Sequence, residues 1–354
     1  MSRRKRGYYL LVAIIVIAMS CSSILISPVA IGKTLKFGYV LHLPIPFTSY
    51  IQKGAEDAGR DFGVEVEVVC PPKYNPQTAI ALFEGFVTKR VDGIVVIAYP
   101  DTTWVVPINE AIDLGVPVLT ANCDSPKSKR IAWVGQDEYN SGRILARELL
   151  KRLKGKSGKI ILGTCAPDAS VIIDRANGFM EVMAEHPEFE VLGPYNVTAE
   201  MTANYAAWEN LISANPDLLA AVGLCALDNP NFALLKKKTG KEFICAGYDL
   251  VIDTLKAIKE GSVSFTLGQH PYLQGYLPIR ALAEHYQQGK PIPAGWIKCP
   301  TEIVDASSDL DTLIRRQSDM DFMTEWYKKF IPEHYPELKG EPSAIHPAHP
   351  WRGK

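Results

Sequence analysis

Residues 262–276 read SVSFTLGQHPYLQGY. An apolar run over residues 263–267 stops at Gly268-Gln269-His270, and Pro271, a residue suited to the first position of a helix, opens the next segment. A buried strand that carries a Gln and a His at its end bears groups that are costly to desolvate. A satisfied core Gln or a surface turn explains this locally. A strand that ends at a cleft, with the Gln placed to hold a ligand, explains it functionally. The rest of the chain weighs these two readings.

Working outward, the same pattern recurs. Ten short apolar runs follow one another from Thr34: TLKFGYV, VEVEVVC, GIVVIAY, VPVLTA, RIAWVG, KIILGTC, EVLGPYNV, LLAAVGLC, EFICAGYD and SVSFTLG. They are rich in Val and Ile and mostly lack strict alternation, as expected of strands buried on both faces of a parallel sheet. Helix-like segments separate them. Ile51, Ala55, Ala58 and Phe62 form one apolar stripe, and Leu145, Leu149 and Leu153 another. Strand and helix in alternation predict an α/β fold with right-handed crossovers. Ten strands exceed one five-stranded unit and suit two doubly wound, Rossmann-like lobes, with the break near Gly135-Gln136-Asp137.

The chain of 354 residues is long enough for two cores, and 38 basic against 39 acidic residues give a net charge of −1. No basic field for nucleic acid follows from that balance. The N-terminus differs. Arg3-Arg4-Lys5-Arg6 precedes an apolar segment over residues 8–31 that ends in small residues, which reads as an export signal with cleavage before Lys33. Lipidation at Cys21 and retention as an anchor are the alternatives; all three place the protein outside the cytoplasm. The seven cysteines match no zinc spacing and include no CxxC. Most stand in or beside apolar runs, as small buried hydrophobes do.

Open parallel sheets bind ligands beyond the carboxyl ends of their strands. In this chain those ends carry His42, Phe47 and Thr48; Asp101; Asn122; Asp168 and then Arg175; Asp228 and Asn229; Tyr248 and Asp249; and Gln269. No GxSxG, HExxH or metal-ligand spacing accompanies them. Gly155-Lys156-Ser157 imitates a phosphate loop, but Leu150 stands where the loop needs Gly, and the stretch joins a helix to a strand rather than the reverse. His346 and His349 have metal-like spacing in a Pro-rich tail with no third ligand. No metal or cofactor is expected. Mixed Asp, Asn, Gln and Arg with a ring alongside suits a polyhydroxylated molecule, whose hydroxyls both donate and accept. Capping of the following helix is the plainer role open to Asn122, Asn229 and Asp249 individually.

These residues carry a family resemblance over residues 35–304. Gln269-His270-Pro271-Tyr272-Leu273-Gln274-Gly275 resembles a Gln-x-Pro-Tyr-x-x-Gly segment of the ribose-binding group of type I periplasmic binding proteins, the exported sugar receptors of ABC importers. Arg175-Ala176-Asn177-Gly178-Phe179, Gly247-Tyr248-Asp249 and the strand ending at Asn122 resemble further segments of that group. Phe47-Thr48 stands at its aromatic loop, with Ile45 in place of an Asn and Thr48 in place of a second Phe.

The resemblance implies two lobes joined by a three-crossing hinge, with the ligand in the interlobe cleft. The expected boundaries are 33–135 plus 270–300 for the N-terminal lobe and 136–269 plus 301–335 for the C-terminal lobe. A signal or anchor over 1–32 and a flexible tail over 336–354 flank them. Phe47, Asn122, Arg175, Asn229, Asp249 and Gln269 are the expected ligand contacts, with His42, Thr48, Asp168, Asp228 and Tyr248 at the same edge. The implied ligand is a small neutral sugar or polyol, the partner a membrane permease, and the state a monomer. A sensory binding protein that signals to a chemoreceptor or kinase fits the same residues, and an exported enzyme is a remoter alternative. In a doubly wound sheet Cys165 and Cys225 end neighbouring strands, so they are expected close together, within reach of a disulfide.

Overall fold

The computed structural model describes residues 34–341. The N-terminal basic and apolar segment with Cys21, and the His346/His349 pair, lie outside the described residues. In chain order the first elements are β1 (Lys36–Val40), α1 (Pro46–Phe62), β2 (Glu65–Val69), α2 (Pro76–Lys89), β3 (Gly93–Val96), α3 (Val105–Asp113), β4 (Val118–Ala121) and β5 (Ala132–Gln136). There follow α4 (Glu138–Leu153), β6 (Gly158–Thr164), α5 (Ser170–Met183), β7 (Phe189–Asn196), α6 (Met201–Ala214), β8 (Leu218–Gly223), α7 (Asp228–Thr239), β9 (Ile244–Tyr248), α8 (Ile252–Lys259) and β10 (Phe265–Gly268). The described chain closes with α9 (Pro271–Gln288), β11 (Gly295–Cys299), β12 (Glu302–Asp305), α10 (Leu310–Ser318) and α11 (Met320–His334). The first ten strands are the ten apolar runs; β11 and β12 are not among them.

Two six-stranded sheets result, ordered β2-β1-β3-β4-β5-β11 and β7-β6-β8-β9-β10-β12. All pairs in the first are parallel, and in the second only β12 runs antiparallel, against β10. The chain passes between the sheets after Gln136, after Gln269 and at Pro300, which makes the two α/β lobes and three crossings expected from the sequence.

Successive strand residues feed opposite cores. Val95 joins the cluster under α1 and α9, while Ile94 and Val96 join the one under α2 and α3. The helix pair that faces the sheet in each lobe packs through glycine. A Cβ on Gly54 of α1 would collide with the Tyr272 carbonyl of α9, and one on Gly142 of α4 with the Arg175 carbonyl of α5. This close approach sets how near Arg175 stands to the start of α4. Among the described residues no helix is long and apolar enough to cross a membrane.

The C-terminal segment departs from its expected place. β12 and α10 stay with the second lobe, but Met323, Tyr327 and Ile331 of α11, spaced by four, are buried in the first lobe's core. Residues 301–335 therefore do not all belong to the C-terminal lobe, and the chain connects the lobes a fourth time near Asp319. The start of the expected flexible tail is also fixed: Leu338 is buried, and Trp296 and Glu341 exchange two backbone hydrogen bonds of 2.8 Å.

Candidate ligand-binding site

The second lobe supplies a buried ionic centre. Arg175, 3% exposed, donates from Nε to Glu138 Oε2 at 2.7 Å, from Nη2 to Oε1 at 3.0 Å and from Nη1 to the Leu224 carbonyl at 2.9 Å. Its guanidinium lies 4.0 Å from the centre of the Tyr248 ring, and the Tyr248 hydroxyl is 2.8 Å from Ser141 Oγ. Burial works against the Arg175 charge, and the paired Glu138 carboxylate more than offsets it, so the guanidinium stays firmly protonated. Glu138 and Ser141 stand on α4 just past the first crossing.

Beside this centre, Gln269 Nε2 donates to Asp249 Oδ1 at 2.8 Å, and Gln274 Nε2 donates to Gln269 Oε1 at 3.1 Å. Burial raises the Asp249 carboxyl above its ordinary range, with the Arg175 charge and the Gln269 bond acting against it. Asp249 has a left-handed backbone, φ 72°, and so has Asn122, φ 58°. These two residues follow β4 and β9, which are corresponding strands of the two sheets. Asn and Asp tolerate this conformation better than other residues with side chains, and such backbone concentrates at functional sites.

From the first lobe, the Tyr99 hydroxyl donates to Asp168 Oδ1 of the second at 3.0 Å. Tyr99 and Val171 each pack against the cores of both lobes, so the lobes are apposed. The His42 ring stands edge-on to Tyr99, 6.2 Å between centres. Burial lowers its pKa to about 4, which makes it neutral at pH 7. Phe47 is half-buried at the start of α1.

Three expected contacts are turned elsewhere. Thr48 Oγ1 lies 2.6 Å from the Leu43 carbonyl and 2.8 Å from the Ile45 carbonyl, to which its one proton can be donated, and accepts from the Ile45 amide, so it is spent on the start of α1. Asn229 lies on the α7 side of the second sheet, bonded to Thr266 Oγ1 at 3.1 Å beside Gly247, whereas Tyr248, the next residue of β9, points to the opposite face where Arg175 lies. The Asp228 carboxylate accepts from Trp208 Nε1 at 2.8 Å, Asn204 Nδ2 at 2.9 Å and the Cys225 amide at 2.9 Å inside the lobe. Burial lifts its pKa from 3.8 to about 6. Since the folded value exceeds the ordinary one, ionisation disfavours the fold, so stability declines as pH rises from about 4 to about 6. Asp228→Asn is expected to flatten that part of a urea-unfolding series against pH and to leave ligand affinity unchanged.

Glu138, Ser141 and Tyr99 belong to the assembly although the strand-end inventory omits them. Glu138 reads as an ordinary acid in a helix's first turn, and Tyr99 as the last apolar residue of its run. A disulfide joins Cys165 and Cys225 across the loops after β6 and β8, as their neighbouring strands anticipate.

The model of the periplasmic binding protein domain matches residues 40–291. The chain belongs to this family. Among curated relatives, the xylose/arabinose-binding protein XylF of Sulfolobus acidocaldarius is 23% identical over 267 residues. The match takes in 70% of this chain and 65% of that protein, just under two thirds of its length. The ribose import binding protein RbsB of Bacillus subtilis is 24% identical over 253 residues, 70% of this chain and 79% of its own. The crystal structure of GanP, a glucose-galactose binding protein from Geobacillus stearothermophilus, superposes with a TM-score of 0.72 at 24% identity, covering 78% of this chain and 99% of that one. The family match ends before β11, so β11, β12, α10 and α11 extend beyond it.

Proposed function

We propose that this domain is an exported receptor that closes over a small neutral sugar or polyol and presents it to the permease of an ABC importer. The observation that carries this reading is the set of hydrogen-bonding groups at one edge of two apposed sheets: Asn122 and His42 from one lobe, Arg175, Asp249 and Asp168 from the other, and Gln269 at a crossing. Relatives named for xylose, arabinose and ribose support the ligand class. Carboxylates accept from hydroxyls, the guanidinium donates to them, and Phe47 and Tyr99 offer faces to C–H surfaces. The only guanidinium among these groups is paired with Glu138, which leaves little to attract a polyanion.

Closure is the mechanism. A ligand that touches both lobes favours the closed state by the free energy of the contacts formed only there. The Tyr99–Asp168 bond is one such contact between the lobes themselves. Tyr99→Phe removes its net contribution of about 0.5–1.5 kcal/mol, so a calorimetric titration is expected to show affinity two- to tenfold weaker. Export by the N-terminal segment and a monomeric state belong to the same reading.

A thermal-shift screen of the chain from Lys33 tests the class. Ligand that binds only the folded state raises the melting temperature by mass action. A shift with one family of sugars or polyols is the expected result; shifts with amino acids or anions alone would overturn the reading.

A further inference from the structure

Gln136 ends β5 at the first crossing and is 1% exposed, yet neither its Nε2 nor its Oε1 has a hydrogen-bond partner among the described residues. Native interiors leave few such groups unpaired, because an orphaned buried amide loses water and gains nothing in return. Its surroundings offer no remedy. Cys299 of β11 is directly in register with Gln136, and on the other side of β5 Cys123 stands two residues past the end of β4. Both thiols are free and buried, and thiols are weak hydrogen-bonding partners.

Gln136 and these two cysteines nevertheless border the ionic centre. The Glu138 charge, added to burial, helps hold both thiols protonated, and Arg175 acts on Cys123 in the opposite sense. Gln274 Oε1 on α9, whose side chain also bonds Gln269, is a further buried oxygen without a partner among the described residues. Gln136 also mirrors Gln269: Gln136 ends β5 and Gln269 follows β10, each strand lying next to its sheet's edge, immediately before the chain changes lobes. Gln269 has its partners; Gln136 lacks them.

We propose that Gln136 is a ligand-contacting residue whose amide donates to one hydroxyl of the ligand and accepts from the adjacent one, so that it selects a vicinal diol at that end of the site. This rests on the sugar or polyol reading above. An amide presents donor and acceptor side by side, the complement of two neighbouring hydroxyls, and a ligand lacking either one leaves part of the amide unpaired.

The test is Gln136→Met, close in size and without the amide. The free variant is expected to melt at a higher temperature than wild type, since the unpaired group is gone. Its affinity for the sugar that shifts the wild type most is expected to fall roughly ten- to a hundredfold in calorimetry. A residue that only fills space would show no such opposed changes. A crystal structure of wild type with that sugar needs no variant, and is expected to place the amide within hydrogen-bond distance of two adjacent hydroxyls. Equal affinity in the variant, or a water bound to the amide in place of sugar, overturns this inference alone. Wild-type protein that binds no sugar or polyol overturns the functional reading, and this with it.

Discussion

Arg175→Ala is expected to lower stability by about 3–5 kcal/mol and to reduce ligand affinity beyond detection in the same protein. The magnitude follows from burial. Removing one member of a buried ion pair strands the other, and here Glu138, whose carboxyl burial already raises, would lose the cation that favours its charged form and be driven to take up a proton. The Leu224 carbonyl and the Tyr248 ring face lose their partner too. The paired variant Glu138→Gln/Arg175→Met separates the two consequences. With both charges gone, most of the stability should return in urea unfolding. On the proposed reading binding should not return, because the guanidinium donors proposed to meet ligand hydroxyls are absent. Unchanged affinity in Arg175→Ala would remove this residue from the site.

The second large effect is expected far from the ligand. Tyr327→Ala should cost about 3–5 kcal/mol, the range for deleting a buried aromatic side chain. The Tyr327 ring stacks on Tyr272 with centres 4.2 Å apart and planes 3° from parallel, and its hydroxyl shares a 2.9 Å hydrogen bond with His270 Nδ1. His270 occupies the second crossing and Glu302 follows the third. Glu302 takes both terminal nitrogens of Arg316 from α10, whose guanidinium lies 4.4 Å from the Trp326 ring centre of α11. Helices bound to different lobes thus meet around two hinge strands. Truncation after Ser318 should destabilise at least as much as Tyr327→Ala, since Met323 and Ile331 lose their burial as well. A truncated chain that unfolds at the wild-type urea concentration would show that α11 contributes nothing to the first lobe.

These two cases also show what a sequence reveals and what it conceals. The ten Val/Ile-rich runs are legible because a strand buried on both faces has no room for polar residues. The strands β11 and β12 are less so: they are short, lie among Pro291, Pro293 and Pro300, and one of them sits antiparallel at a sheet edge. Phe322, Trp326 and Phe330 announce a helix, but no periodicity says which lobe it will cover, and the most buried stripe proved to be Met323, Tyr327 and Ile331. At the site, residue types are legible and directions are not. Asp228 and Asp249 look alike as acids after strands, yet one is enclosed by Trp208 and Asn204 and the other meets Gln269. The alternation of Gly247 and Tyr248 across the sheet separates Asn229 from Arg175. Glu138 becomes visible only once Gly142 on α4, close against the Arg175 carbonyl, and Gly178 on α5, close against the Tyr139 carbonyl, bring the two helices together.

The measurement that tests the account most directly is small-angle X-ray scattering of the chain from Lys33, without and with a saturating amount of the sugar or polyol that raises its melting temperature. Closure of two lobes over a ligand predicts a smaller radius of gyration in its presence. Saturable binding with an unchanged scattering profile would contradict closure as the mechanism, and saturation by no sugar or polyol would contradict the site itself.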